Sequence, residues 1–94
     1  MKISGIIWLA SIVEKLYKKH SVAQEEVAEI FQSRPKIRFV ESGLHEDEDV
    51  YAAMGRTSAG RYLIVFFVRK KTGQALIISA RDMTPGEKKR YEKK

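Results

Sequence analysis

The chain has 94 residues, 44% hydrophobic and 32% charged, with 18 Lys or Arg against 12 Asp or Glu and a net charge of +6. Such proportions fit one globular domain over residues 1–94 and exclude a disordered chain. There is no cysteine, which excludes a disulfide framework, a thiolate metal site and a cysteine nucleophile.

Met1-Lys2 followed by Ile3 to Val13 resembles the core of an export signal. The run is too short to span a bilayer, which takes ~20 residues, and no small-residue cleavage site closes it. It reads instead as a core helix. Leu9, Ile12, Val13, Leu16, Tyr17 and His20 recur at three- and four-residue steps on one face, and Trp8 is a packing anchor at its start. Ser21 followed by Gln24 has capping-box spacing and predicts a second helix to about Gln32, which buries Ala23, Val27, Ile30 and Phe31 before Pro35 stops it.

From Lys36 the period changes to two. Lys36 to Glu41 predicts an exposed edge strand, Ser42 to Asp49 an acidic loop, and Val50 to Thr57 a second strand. Ser58-Ala59-Gly60 predicts a three-residue hairpin loop. Tyr62 to Val68 is almost wholly apolar, as in a central strand covered on both faces. Arg69 to Gly73 is a further turn, and Gln74 to Ala80 the fourth strand. Thr84-Pro85-Gly86-Glu87 combines an N-cap, a first-turn proline and a reciprocal glutamate, which predicts a short last helix. The expected class is α+β: two N-terminal helices, a four-stranded mainly antiparallel sheet and a short C-terminal helix.

No phosphate-binding glycine motif is present, so no cofactor is expected. No metal site is expected either. His45 with Glu46, Asp47, Glu48 and Asp49 is a loose group that reads as a solvated loop. A basic small domain attracts nucleic acid through its phosphates, although +6 also simply aids solubility.

Cleaving RNA without a metal needs a base for the 2′-hydroxyl proton and cations for the phosphorane charge. His20 is the candidate base, because a free imidazole titrates near neutral pH; its alternative role is to close the helix C-terminus. If the third and fourth strands pair as a hairpin, Arg61 and Arg81 meet at one edge and grip a single phosphate, with Arg56 beside them. On these residues alone, arginines on opposite sides of the molecule, or each neutralised by its own carboxylate, would end the nuclease reading. Salt bridges to Glu87 or to the acidic loop are the alternative. Lys88, Lys89, Arg90, Lys93 and Lys94 read as a solvated basic tail, and Tyr91 either stacks on a base or packs on the sheet.

Several blocks resemble the BrnT family, the toxin half of a prokaryotic type II toxin–antitoxin pair. They are Trp8, Lys19-His20-x-Val22, Glu25-Glu26, Phe31, Tyr51-Ala52-Ala53-Met54-Gly55, Gly60-Arg61-Tyr62-Leu63, and Ile77 to Thr84 with Glu87, Arg90 and Tyr91. The resemblance implies a fold like that of RelE-like ribonucleases and metal-independent cleavage of RNA in the cytoplasm, with no membrane role. It implies a ribbon-helix-helix antitoxin (BrnA-like), and contact with operator DNA only through the complex. It carries Lys19, His20, Arg61 and Arg81 over as site residues. His20, Arg61 and Arg81 are the expected catalytic groups, and Lys19, Arg56 and Tyr91 the expected RNA contacts. Replacing Arg61 or Arg81 by alanine is expected to remove toxicity and spare the fold. Three positions depart from the family pattern. Leu9 stands where an Asp is usual, Ser21 where a Gly is usual, and Ala23 where a Ser or Thr is frequent. The loss of the acid at Leu9 bears, on this reading, on the site. The competing reading is a non-catalytic basic module that binds a partner protein or nucleic acid.

Overall fold

A computed structural model describes residues 1–44 and 48–93. In chain order the elements are β1 (Gly5–Ile7), α1 (Ala10–His20), α2 (Gln24–Gln32), β2 (Lys36–Glu41), β3 (Val50–Arg56), β4 (Tyr62–Arg69), β5 (Gln74–Asp82) and α3 (Pro85–Glu92). They form an α+β structure whose five-stranded mixed sheet has the order β1-β5-β4-β3-β2.

The expected sheet lacked its fifth strand. Gly5 to Ile7 is not part of the first helix but pairs in parallel with Gln74 to Leu76. Ser4 reinforces the pairing, donating its N–H to Gly73 O (2.9 Å) and its hydroxyl to Thr72 O (3.0 Å). Three residues cannot display a two-residue period, so an apolar stretch running into a helix hides such a strand. The helical face is correspondingly narrower than its periodicity implied. Leu16 is buried, but Leu9 and Tyr17 are 48% and 67% exposed.

β4 is the central strand and feeds both faces, as its composition predicts. Leu63, Val65 and Phe67 point into a core with Leu16, Val27, Ile30, Ile77 and Ala80, beneath α1 and α2. Trp8 packs against that core. Ile64 joins Ala52 and Met54 on the other face, where Phe66, Met83 and Tyr91 pack over them. Both tight hairpins form where expected. Thr57 N–H donates to Arg61 O (2.8 Å) around Ser58-Ala59-Gly60, and Gly60 and Gly73 supply the positive φ (93° and 87°) that each turn requires.

Helix ends differ sharply in quality. At α3 the Thr84 hydroxyl accepts from Glu87 N–H (3.2 Å) and the Glu87 carboxylate accepts from Thr84 N–H (2.8 Å), with Pro85 opening the helix. The second helix is not capped by Ser21. Its N-cap is Ala23, which has no side-chain acceptor, so only the returning half of the box exists, from Ala23 N–H to Glu26 (3.0 Å). Ser21 instead ends α1 in the left-handed region at φ 52°, a conformation that glycine adopts without penalty. Leu9 is the N-cap of α1 and offers it no side-chain hydrogen bond. All three departures from the family pattern are therefore helix-terminal positions.

Candidate functional site

His20 and Lys19 lie in the last turn of α1, a helix end where cations are favoured. The carbonyls of this end are collected by one side chain. Arg61, in the strand-entry position after the Gly60 turn, donates Nη2–H to His20 O (2.8 Å) and Nη1–H to Ser21 O (2.7 Å). The remaining donors meet carboxylates: Nε and Nη2 reach Asp82 (2.7 and 3.1 Å), and Nη1 reaches Glu26 (3.1 Å). A guanidinium has five N–H donors, and each has an acceptor here. Arg61 therefore ties α1, the start of α2 and the end of β5 into one knot.

Asp82 responds to the knot. The Arg61 hydrogen bonds hold the Asp82 carboxyl below its ordinary range against the opposing effect of burial, and the charges of Arg61 and His20 add to this. His20 thus lies close enough to Asp82 for their charges to interact.

Arg81 lies elsewhere. Its two terminal nitrogens donate to the two oxygens of Glu87 (2.7 and 2.9 Å), and its guanidinium lies 5.5 Å from the Phe66 ring centre. Glu87 is drawn down to about 2, first by the Arg81 hydrogen bonds, with burial opposing and Thr84 assisting. Arg81 pairs with Ile64, on the α3 face, whereas the Arg61 guanidinium sits with α1 and α2.

The expected two-arginine phosphate grip is thus overturned on both counts. The side chains sit on opposite faces of the sheet, and each is neutralised by its own carboxylate. The reason is a β-bulge in β5. From the turn, Arg69 pairs with Ala75 and Phe67 with Ile77; Phe66 then pairs with Ser79, so Ile78 is an extra residue. A bulge of one residue reverses the facing of everything beyond it. Without it Arg81 would stand opposite Leu63, on the same face as Arg61.

Arg56 and Tyr91 are brought together, on the α3 face. Arg56 lies 5.3 Å and Lys88 4.3 Å from the Tyr62 ring centre, and Tyr62 meets Tyr91 edge to face at 6.0 Å. Lys36 lies over Tyr91 at 5.3 Å and donates to the carbonyls of Tyr91 and Lys93. Tyr91 thus packs down on the sheet. Arg56, Lys36 and Lys88 have no ion pair among the described residues, so this face carries three cations on an aromatic floor, with the Glu92 carboxylate accepting from the Tyr62 hydroxyl beside them (3.3 Å).

Glu26 and Asp82 are the functional-site residues that the sequence reading passed over. Both fall in blocks that resemble the family, Glu25-Glu26 and Arg81-Asp82, but their partner was hidden by the strand register. Among the described residues no three His, Asp or Glu side chains converge as metal ligands. His45, Glu46 and Asp47 of the acidic loop lie outside the described residues.

A mixed sheet with a basic rim and helices on both faces defines a small cationic α+β protein, and no described helix is long and apolar enough to cross a membrane. The chain belongs to the BrnT family: the family model for the ribonuclease toxin BrnT of type II toxin–antitoxin systems matches residues 10–87. No curated protein matches the chain.

Proposed function

We propose that the chain is a metal-independent endoribonuclease that arrests growth by cleaving RNA in the cytoplasm, on a sheet of the RelE-like kind, and that a ribbon-helix-helix antitoxin restrains it. Family membership carries this reading. The geometry redistributes the roles within it. His20 removes the proton from a 2′-hydroxyl, whose oxygen attacks the adjacent phosphorus. The bond to the 5′-oxygen breaks, and that oxygen takes up a proton. The products are a 2′,3′-cyclic phosphate and a 5′-hydroxyl. Arg61 is a positioning residue, because every one of its donors is already engaged at the helix end that carries His20. Arg81, on the other face of the sheet from that helix end, is the guanidinium able to hold a backbone phosphate of the bound strand away from the reacting one, by exchanging one carboxylate for another anion. Lys19, Arg56 and the cations around Tyr62 and Tyr91 hold the rest of the strand.

The test is incubation of the purified chain with total RNA in EDTA, followed by end-group analysis. Fragments with 2′,3′-cyclic ends are expected, and His20→Ala should slow their formation by ~10²–10⁴-fold. Cleavage that requires added Mg²⁺ would remove the metal-independent chemistry.

The neutralisation of both arginines favours one second reading, a non-catalytic basic module. It predicts RNA binding that weakens steeply with salt and no cyclic ends in the same experiment.

A further inference from the structure

The far edge of the sheet carries a surface that the catalytic reading does not use. β2 is an edge strand, with no strand paired along its outer side among the described residues. Its regular portion runs from Lys36 to Phe39, after which the register shifts. An open edge with free backbone donors and acceptors is a template for another strand.

Beside that edge lies a groove of about 490 Å³. Its floor is the outer end of an aromatic series that begins in the core. Phe31 meets Phe67 at 5.2 Å, Phe67 meets Tyr51 at 5.9 Å, and Tyr51 meets Phe39 at 6.0 Å. Phe39 ends the series 55% exposed, and large exposed apolar groups beside a groove mark interaction sites. Its cationic lining residues are Lys2, Arg34 and Arg38, and no Asp or Glu among the described residues lines it. Neither Arg34 nor Arg38 makes an ion pair among the described residues.

Arg34 adds a second, independent sign. It adopts φ 56°, immediately before Pro35. A left-handed backbone costs a residue with a side chain roughly 1–2 kcal/mol, which glycine avoids. The chain holds an arginine there, at the mouth of the groove.

We propose that the β2 edge and its groove are the docking site of an extended acidic segment of a partner protein. The segment adds a strand along Lys36–Phe39, seats an apolar side chain against Phe39 and sets its carboxylates beside Arg34 and Arg38. Within the toxin reading, that segment belongs to the antitoxin; the assignment of the surface itself rests on the edge, the groove and their charge.

The experiment titrates the full chain with a synthetic peptide of about ten residues alternating Glu with Leu and Phe, followed by backbone amide shifts and hydrogen exchange. Shifts and slowed exchange are expected at Lys36–Phe39, with binding that weakens as salt screens the charges. Phe39→Ala and the double variant Arg34→Glu/Arg38→Glu should each weaken binding about tenfold or more. Arg34→Gly gives the sharper result, because relief of backbone strain raises the unfolding midpoint while peptide affinity falls; a purely structural arginine would not separate the two. Three outcomes overturn the proposal: no response at β2, equal binding of a peptide with Lys in place of Glu, or displacement of the peptide from these amides by a short single-stranded RNA. None of these readouts involves RNA cleavage, so failure here is distinct from failure of the ribonuclease reading.

Discussion

Arg61 and Arg81 stand on either side of the same sheet end, and both are neutralised, yet their surroundings differ. Arg61 meets two carboxylates and two helix-end carbonyls from three elements. Arg81 meets one carboxylate, from a short helix six residues further on. The first arrangement leaves no donor for a ligand. The second is a single bidentate pair, half-buried, with one further bond to the Asp82 carbonyl (3.1 Å), so that one carboxylate leaving it frees the guanidinium. A cation's partner list, more than its charge, separates a structural arginine from one that is available to substrate.

The largest expected effect tests that separation directly. Arg81→Ala should weaken RNA binding about 10–100-fold, read as a raised KM for cleavage. Its unfolding free energy in urea should change by only about 1–2 kcal/mol, as for loss of a single part-buried ion pair. A large loss of stability would merge the two arginines into one class.

Arg61→Ala should show the reverse order, with about 2–4 kcal/mol of stability lost, because part-buried Glu26 and two helix-end carbonyls are left unpaired. Arg61→Lys should recover less than half of this, since an ammonium cannot reproduce the planar fork. These contacts argue against the expectation that alanine at Arg61 would spare the fold, and the variant's activity loss should track its folded fraction.

Acid titration sharpens the contrast from the carboxylate side. Glu87 is drawn from an ordinary value of 4.5 to about 2 by Arg81. A carboxyl lowered on folding stabilises the folded state above its unfolded value, and that stabilisation is lost as pH falls from about 4.5 through 2. Allowing for solvent at the rim, on the order of 1–2 kcal/mol should disappear over this window. Glu87→Gln should flatten that part of the pH–stability curve.

The smallest effects concern helix ends. Leu9→Asp and Ala23→Ser each supply an N-cap acceptor, and Ser21→Gly removes a left-handed side chain. Each should raise stability by ~0.5–1 kcal/mol in thermal unfolding. Leu9 and His20 are at opposite ends of α1, so Leu9→Asp should leave the cleavage rate of the folded enzyme unchanged. Position 9 is the N-cap of α1.

Much of the frame was legible because its signals are local. The Ser58–Gly60 and Lys71–Gly73 turns, the apolar run of β4 and the Thr84-Pro85-Gly86-Glu87 start of α3 each declare themselves within a few residues. β1 was not legible, because its partner lies about seventy positions away and three residues carry no period. The site failed for a subtler reason. Counting outward from the Gly73 turn puts Arg81 on Arg61's face, and only the unpaired Ile78 reverses the count. Nothing in Ile77-Ile78-Ser79 announces such a bulge. The capping reading erred by two residues for a related reason: Ser21 has the right chemistry for an N-cap but is needed to turn the chain out of α1.

α3 carries one more consequence. It has the best cap in the molecule and no fully buried side chain. Its attachments are the Glu87–Arg81 pair, the Lys36 contacts with its last carbonyls, and half-buried Tyr91. The two faces of the sheet should therefore answer differently to ionic strength. Raising salt should speed amide exchange in α3 while α2, seated on Val27 and Ile30, stays unaffected, so that brine loosens one cover of the sheet and leaves the other shut.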